Sequence, residues 1–195
     1  MQKPNNFEVT QASGDFTPVS LGGHHLIIKK VEEKQSSTGK DMIVVIFDMG
    51  PGDSQAEYFS KSFAADIRPD KKWPRNGIQY IVVNDSNGNC SKSFKTFIVC
   101  VERSNSGFET QWGKNFGAQF KGKRIGGVFG EVENEYNGKR TMRHELRWFC
   151  ADGKVDSARI PEPKYLDNTN RTVAAPANTD GFMAIPDTEE EEIPF

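Results

Sequence analysis

The sequence lacks the features of membrane, secreted and disulfide-bonded proteins. None of its 195 residues lie in an apolar run of about 18 or more, and residues 1–16 are polar, so we expect neither a membrane span nor a secretory signal, and we place the protein in the cytoplasm. The cysteines, Cys90, Cys100 and Cys150, are odd in number and form no C-x-x-C pair, which predicts reduced thiols. The histidines stand at no zinc-site spacing, so we predict no metal and no other cofactor.

Motifs of the common enzyme classes are also missing. The sequence contains no Walker-type phosphate loop, no G-x-S-x-G nucleophile motif and no H-E-x-x-H zinc motif. Glu131, Glu133 and Glu135 alternate near a turn, as the carboxylates of a nuclease metal site would, but no lysine-containing nuclease pattern accompanies them. We therefore predict that the protein is not an enzyme, with a nuclease as the alternative.

The charge is distributed unevenly along the chain. Residues 161–195 hold two basic and eight acidic side chains, net -6, whereas residues 1–160 hold 23 basic and 19 acidic side chains, net +4. Five of the ten prolines fall in residues 161–195, where apolar side chains are sparse. Such a segment buries too little surface to offset the entropy of ordering. We predict a folded domain over residues 1–160 and a disordered linker with an interaction tip over residues 161–195.

The predicted domain contains mostly strand patterns. Residues 42–47 form a continuous apolar run that is typical of a buried strand, and residues 26–31 form a hairpin with it across a glycine turn at 36–40. Residues 57–64, 78–83 and 124–132 are further β-prone segments. Residues 141–150 alternate and follow a turn at Asn137-Gly138, for which the Asn-Gly pair predicts type I′. Their alternation places Trp148 with Met142, His144 and Leu146 on one face, which we predict to be the core.

One helix is predicted between these strands. Its apolar face consists of Cys90, Phe94, Phe97, Ile98 and Val101. Ser91 or Ser93 is suited to cap its start, and Asn105 with Gly107 marks its end. This order of elements predicts an OB-fold, a five-stranded β-barrel with one helix between strands 3 and 4. A β-sandwich with a helical insertion is the alternative.

The end of the sequence combines an acidic run with an apolar tip. A purely solvating tail does not need apolar residues there, whereas a basic-rimmed apolar pocket on a partner would take the terminal ring and its carboxylate. We therefore predict that the tip binds proteins. Its residues are Asp187, Glu189, Glu190, Glu191, Glu192, Ile193, Pro194 and Phe195.

This tip resembles the C-terminal tip of bacterial single-stranded-DNA-binding proteins, an acidic run followed by Ile-Pro-Phe. The match covers residues 189–195, with glutamates where that family usually has aspartates. The resemblance implies that the tip binds replication, recombination and repair enzymes.

The segment from about residue 20 to about residue 165 resembles a different family. Its members have an OB-fold and are encoded in the replication modules of phages and prophages of Gram-positive bacteria. The resemblance implies single-stranded-DNA binding inside a bacterial host cell. It is carried by short motifs in a common order: Gly22-Gly23, Thr38-Gly39-Lys40, Phe47-Asp48, Tyr58-Phe59, Trp73-Pro74, Phe94-Lys95, Glu102 to Phe108, Phe120 to Lys123 and Gly127 to Glu131.

A surface for single strands needs cations for phosphates and aromatic faces for bases. In an OB-fold these residues lie on the face of strands 2 and 3 and in the loops between strands 1 and 2 and between strands 4 and 5. Three groups of residues fit this requirement: Lys34, Lys40, Phe59 and Lys61; Lys71, Lys72, Trp73 and Arg75; and Lys139, Arg140, Arg143 and Arg147.

Several of these candidates have an alternative interpretation. Phe59 fits a core position equally well, and Trp73 fits a cap over one end of the barrel. Arg143 and Arg147 fit a solvated face with Glu145 between them.

The sequence thus predicts a protein that binds and protects single-stranded DNA with little sequence preference during replication or recombination, and that recruits partners through its tip. An RNA-binding OB protein is the nearer alternative, because stacking and phosphate contacts serve both polymers. A phage structural or assembly protein that binds no DNA is the other. The sequence leaves the oligomeric state open.

Overall fold

The computed structural model describes residues 2–4, 7 and 17–166. The interaction tip at 187–195 and most of the predicted linker lie outside the described residues. No helix in this part of the chain has the length and apolar character required to cross a membrane.

The described residues form a mainly β fold, as predicted, with one antiparallel sheet. Its spatial order is β3-β2-β1-β4-β5, so the long β1 is central and pairs with both β2 and β4. A single sheet is not a sandwich, so the β-sandwich alternative is wrong. The strands are β1 (Gly22–Gln35), β2 (Asp41–Met49), β3 (Ile78–Val82), β4 (Arg124–Tyr136) and β5 (Lys139–Cys150).

The sheet does not close into the predicted barrel. No backbone ladder joins β3 to β5 within the described residues. β3 is only five residues long, and a 3₁₀ turn, Arg75–Gly77, precedes it and contacts β5 instead. Asn76 reaches across the opening, where its side-chain amide donates to the carbonyl oxygen of His144 at 2.9 Å. The sheet is therefore open between β3 and β5.

The predicted helix between β3 and β4 is confirmed as α2 (Lys92–Ser104). The hydroxyl oxygen of Ser91 accepts the backbone N–H of Phe94 at 3.2 Å, which caps the helix as expected. Phe94, Phe97 and Val101 are buried on the face that packs into the core. Cys90 lies before the helix and is exposed, so its assignment to that face was wrong.

A second helix, α1 (Tyr58–Ala65), replaces the strand expected over residues 57–64. Phe59 and Phe63 are four residues apart, a spacing that places two side chains on one face of either a helix or a strand. The helix is selected by Asp48 at the end of β2. Its carboxylate accepts the backbone N–H groups of Phe59 at 2.9 Å and Ser60 at 3.2 Å.

A β-bulge at Arg147 corrects the faces assigned to β5. Val128 pairs with Trp148, but the next residue, Phe129, pairs with Leu146. Arg147 is therefore an extra residue that has no register partner on β4. One extra residue exchanges the two faces beyond it. Phe149 therefore joins Leu146 in the core, and Trp148, predicted to be buried, is 46% exposed.

The start of the predicted linker is attached to the sheet. The N–H of Glu133 on β4 donates to the carbonyl oxygen of Lys164 at 2.8 Å, and the N–H of Lys164 donates to the carbonyl oxygen of Glu131 at 2.9 Å. Ordered contacts thus continue beyond the predicted boundary at residue 160.

Candidate nucleic-acid interface

The outer face of β2 and β3 carries an apolar surface that is separate from the core. β2 turns Ile43, Val45 and Phe47 toward the core, so its alternate side chains must point outward. Strand register places each outward residue of β2 between one of β3 and one of β1. We call this surface the outer platform, and it consists of Met42, Val44 and Ile46 on β2 and Ile78, Tyr80 and Val82 on β3.

Tyr80 is the prominent side chain of the outer platform. It is 60% exposed and stands beside Val44, which is buried but lies outside the core cluster. Met42 and Ile46 flank Val44 along β2 and are half-buried. The result is an aromatic ring on an apolar floor, and such an exposed arrangement is typical of binding surfaces.

The β1 edge of the outer platform is positively charged. Lys34, Glu32 and Lys30 pair with Met42, Val44 and Ile46 respectively. The Glu32 carboxylate lies 2.5 Å from the ammonium nitrogen of Lys30 and 2.8 Å from that of Lys34. Hydrogen bonds from these two ammonium groups lower the pKa of Glu32 to about 2. The trio has a net charge of +1, so this edge attracts anionic groups such as phosphates.

The opposite side of the outer platform borders the opening of the sheet. A groove of about 200 Å³ lies there, lined by Arg75, Ile78 and Tyr80 from the β3 side and by Glu145 and Leu146 from β5. Arg75 is exposed. Cations therefore stand on both sides of Tyr80, an arrangement that suits a strand whose phosphates flank a stacked base.

The structure does not bring together the four residues of the first predicted DNA-binding group. Lys34 lies on the edge of the outer platform, and Lys40 is exposed in the β1–β2 turn. Phe59 is 1% exposed in the core, so its alternative interpretation as a core residue is confirmed. Lys61 lies on α1, which begins beyond the opposite end of β2, and its ammonium donates to the carbonyl oxygen of Ala56 at 2.9 Å.

Within the second group, only Arg75 borders the outer platform. Trp73 is half-buried against the core, and its indole N–H donates to the carbonyl oxygen of Phe47 at 3.2 Å, which agrees with a capping role. The Lys71 ammonium lies 4.8 Å from the centroid of the Phe63 ring. Lys72 is exposed.

The third group does not form a single cationic surface. Lys139 and Arg143 are exposed. The Arg140 guanidinium lies 3.1 Å from the Glu135 carboxylate. Arg147 donates to the carbonyl oxygen of Glu162 at 2.9 Å and so holds the segment that follows the domain.

Sequence reasoning missed Tyr80 and its apolar floor. The signal was present in β2, where residues 42–47 are apolar on both faces although only one face meets the core. Because such a run is typical of a buried strand, nothing in the sequence indicated that its second face is a surface. No cluster of three or more potential metal-binding side chains occurs in the described part of the chain.

A scan against family models and a search of curated proteins found no match to this chain.

Proposed function

We propose that the chain binds single-stranded DNA with little sequence preference through the outer platform. The observation that carries the proposal is the exposed Tyr80 ring on its apolar floor, with the Lys30–Glu32–Lys34 trio on one side and Arg75 on the other. Bases stack on such rings whatever their identity, and lysines and arginines contact the phosphates.

The open five-stranded sheet agrees with an OB-type fold, and this agreement supports the proposal. OB-folds are partly open five-stranded barrels that bind oligonucleotides on the face of strands 2 and 3. Five antiparallel strands, an opening between β3 and β5 and a helix between β3 and β4 fit that description. The outer platform lies on the strand pair that the OB-fold uses.

The proposal assigns a second activity, the recruitment of proteins, to the acidic tip. The folded domain coats and protects single strands during replication or recombination in a bacterial host cell, and residues 187–195 recruit replication or recombination proteins. This part of the proposal depends on the sequence and its resemblance to known tips.

The test is a titration of a fluorescein-labelled thymidine oligonucleotide, followed by anisotropy. Tyr80→Ala is expected to raise Kd by about 5- to 150-fold, because stacking one base contributes roughly 1–3 kcal/mol. Wild-type affinity should fall by more than tenfold between about 50 mM and about 200 mM salt, since bound phosphates release counterions.

Tyr136→Ala is the matched control, because Tyr136 is 72% exposed but lies at the β4–β5 turn. A loss with Tyr136→Ala and none with Tyr80→Ala would move the interface to the second turn. Equal affinity for duplex DNA would contradict single-strand selectivity, and tighter binding of uridine oligonucleotides would favour the RNA alternative. No binding at low salt, with residues 187–195 also removed, would reject the function.

Opposite charges on domain and tail predict competition between the tail and DNA. A chain that ends at residue 186 is expected to bind the oligonucleotide several-fold more tightly at low salt, and about equally well at about 0.3 M salt, where charges are screened. The same anisotropy titration measures both values. A full-length chain with Glu189, Glu190, Glu191 and Glu192 changed to glutamine should behave like the shortened chain. Unchanged affinity at low salt would refute the competition.

A further inference from the structure

A second aromatic surface lies at the end of the sheet where the β1–β2 hairpin turns. Trp112, in the loop after α2, is 70% exposed, and one face of its indole stacks on Phe116 at 5.4 Å between ring centroids and 19° between planes. Phe116 itself is buried and packs against Phe94 of α2. Trp112 is therefore backed by the core on one side and accessible on the other.

The loop that carries Trp112 is held in place by Gln119. The Gln119 side-chain oxygen accepts the N–H of Gln111 at 2.8 Å, and its amide group donates to the carbonyl oxygen of Gln111 at 2.8 Å. This reciprocal pair fixes the residue next to Trp112. A large apolar ring is thus presented to solvent in one position, which lowers the entropy that a ligand must remove on binding.

Trp112 lines an apolar slot of about 340 Å³. The other walls of the slot include Met42 and Ile43 of β2, Val83 after β3, and Phe94 and Phe116, which contact the indole. Glu33, Lys34 and Asp41 form its charged rim. A flat group that stacks on an indole suits this slot, and the two rim carboxylates require the phosphates to pass on the Lys34 side.

Lys34 and Met42 connect this slot to the outer platform. The two residues are register partners on β1 and β2, they line the slot, and they form the row next to that of Tyr80. A strand that stacks a base on Tyr80 and follows the lysine edge therefore arrives at Trp112.

We propose that the Trp112 slot is a second nucleobase-binding site, which takes a further base of the single strand held on the outer platform. This inference rests on the proposed function and extends it. The bound strand runs from Tyr80 past Lys34 to Trp112, so the length of DNA covered by the protein depends on Trp112. Trp112 contributes stacking and not sequence readout, because any base presents a flat face to it.

The test compares short and long thymidine oligonucleotides, of about 4 and about 16 nucleotides, which span the site sizes of OB-folds. In the full chain, Trp112→Ala is expected to weaken binding of the long oligonucleotide by about tenfold and of the short one by less than about twofold. Trp148→Ala removes another exposed tryptophan that lines neither surface and is expected to change neither affinity.

Photocrosslinking identifies the contact directly. A long oligonucleotide that carries 5-iododeoxyuridine is irradiated with the wild-type chain, and crosslinked peptides are identified by mass spectrometry. Crosslinks to both Tyr80 and Trp112 are expected.

Three outcomes would overturn the inference. If Tyr80→Ala weakens binding but Trp112→Ala does not, and no crosslink reaches Trp112, the slot is not a base site although the proposed function stands. If a peptide of residues 187–195 protects the Trp112 indole from chemical modification and the long thymidine oligonucleotide does not, the slot binds the interaction tip and not a base. If the wild-type chain binds neither oligonucleotide, this inference and the proposed function fail together.

Discussion

Replacing Asp48 with alanine is expected to lower the free energy of unfolding by about 3–4 kcal/mol, because it leaves buried backbone donors without an acceptor. Asp48 is 0% exposed. Its carboxylate accepts the N–H groups of Met49 at 2.9 Å, Phe59 at 2.9 Å and Ser60 at 3.2 Å, and also the hydroxyl of Ser60. One side chain therefore joins the end of β2 to the start of α1.

Asp48 has this large effect because α1 lacks a local cap. The residue before the helix, Glu57, is in the left-handed region at φ 61° and makes no side-chain cap hydrogen bond. The first N–H groups of a helix have no partner within the helix. For α1 the acceptor comes from β2, so its loss removes both the cap and the attachment of the helix to the sheet.

Urea unfolding followed by far-UV circular dichroism measures the effect. Asp85→Ala is the matched control, since the Asp85 carboxylate also accepts two backbone N–H groups, at 2.8 and 2.9 Å, but in an exposed turn. We expect Asp85→Ala to lower the free energy of unfolding by no more than about 1 kcal/mol. Asp48→Asn keeps one acceptor oxygen and should fall between the two. A loss with Asp48→Ala no larger than that with Asp85→Ala would contradict the assigned role.

Deleting Phe195 alone is expected to abolish partner capture and to leave DNA binding unchanged. The shortened chain ends in a carboxylate on Pro194, so its net charge is the same and only the terminal ring is lost. An aromatic anchor in a pocket typically contributes 2 kcal/mol or more, so capture should fall by about 30-fold or more. The acids from Glu189 to Glu192 remain available for steering.

Full-length and shortened chains are loaded on immobilised single-stranded DNA, exposed to a bacterial lysate, and compared by quantitative mass spectrometry. A chain with one glycine added after Phe195 keeps the ring but displaces the carboxylate, and so separates the two contributions. Loss of DNA binding together with capture would mean that the tip is structural. Recovery of the same proteins by both chains would mean that Phe195 does not dock.

Local signals predicted several elements well. Asn137 and Gly138 have φ values of 50° and 73°, as the type I′ turn expected from Asn-Gly requires. Ser91 caps α2 and Asn105 ends it, as expected. In each case the residues that determine the structure are neighbours in sequence.

Predictions failed where a distant residue or an insertion decided the outcome. The helix over residues 58–65 depends on a hydrogen bond to Asp48, about ten residues earlier. The apolar periodicity of the segment itself does not reveal that contact. The exposure of Trp148 depends on a bulge whose position is set by pairing with β4. The outer platform required the register of three strands, so Tyr80 was not distinguishable from an ordinary strand residue.

The central position of β1 has a consequence for the order of folding. Its pairing with β2 is a local hairpin, and β3 adds to β2 after an intervening helix. Its pairing with β4 joins Gly22 to Phe129, roughly a hundred residues away. Closing so long a loop is slow, because its entropy is lost before the contacts form. We therefore expect the β1–β2–β3 half, which carries the outer platform, to form early and the docking of the β4–β5 hairpin to limit the folding rate.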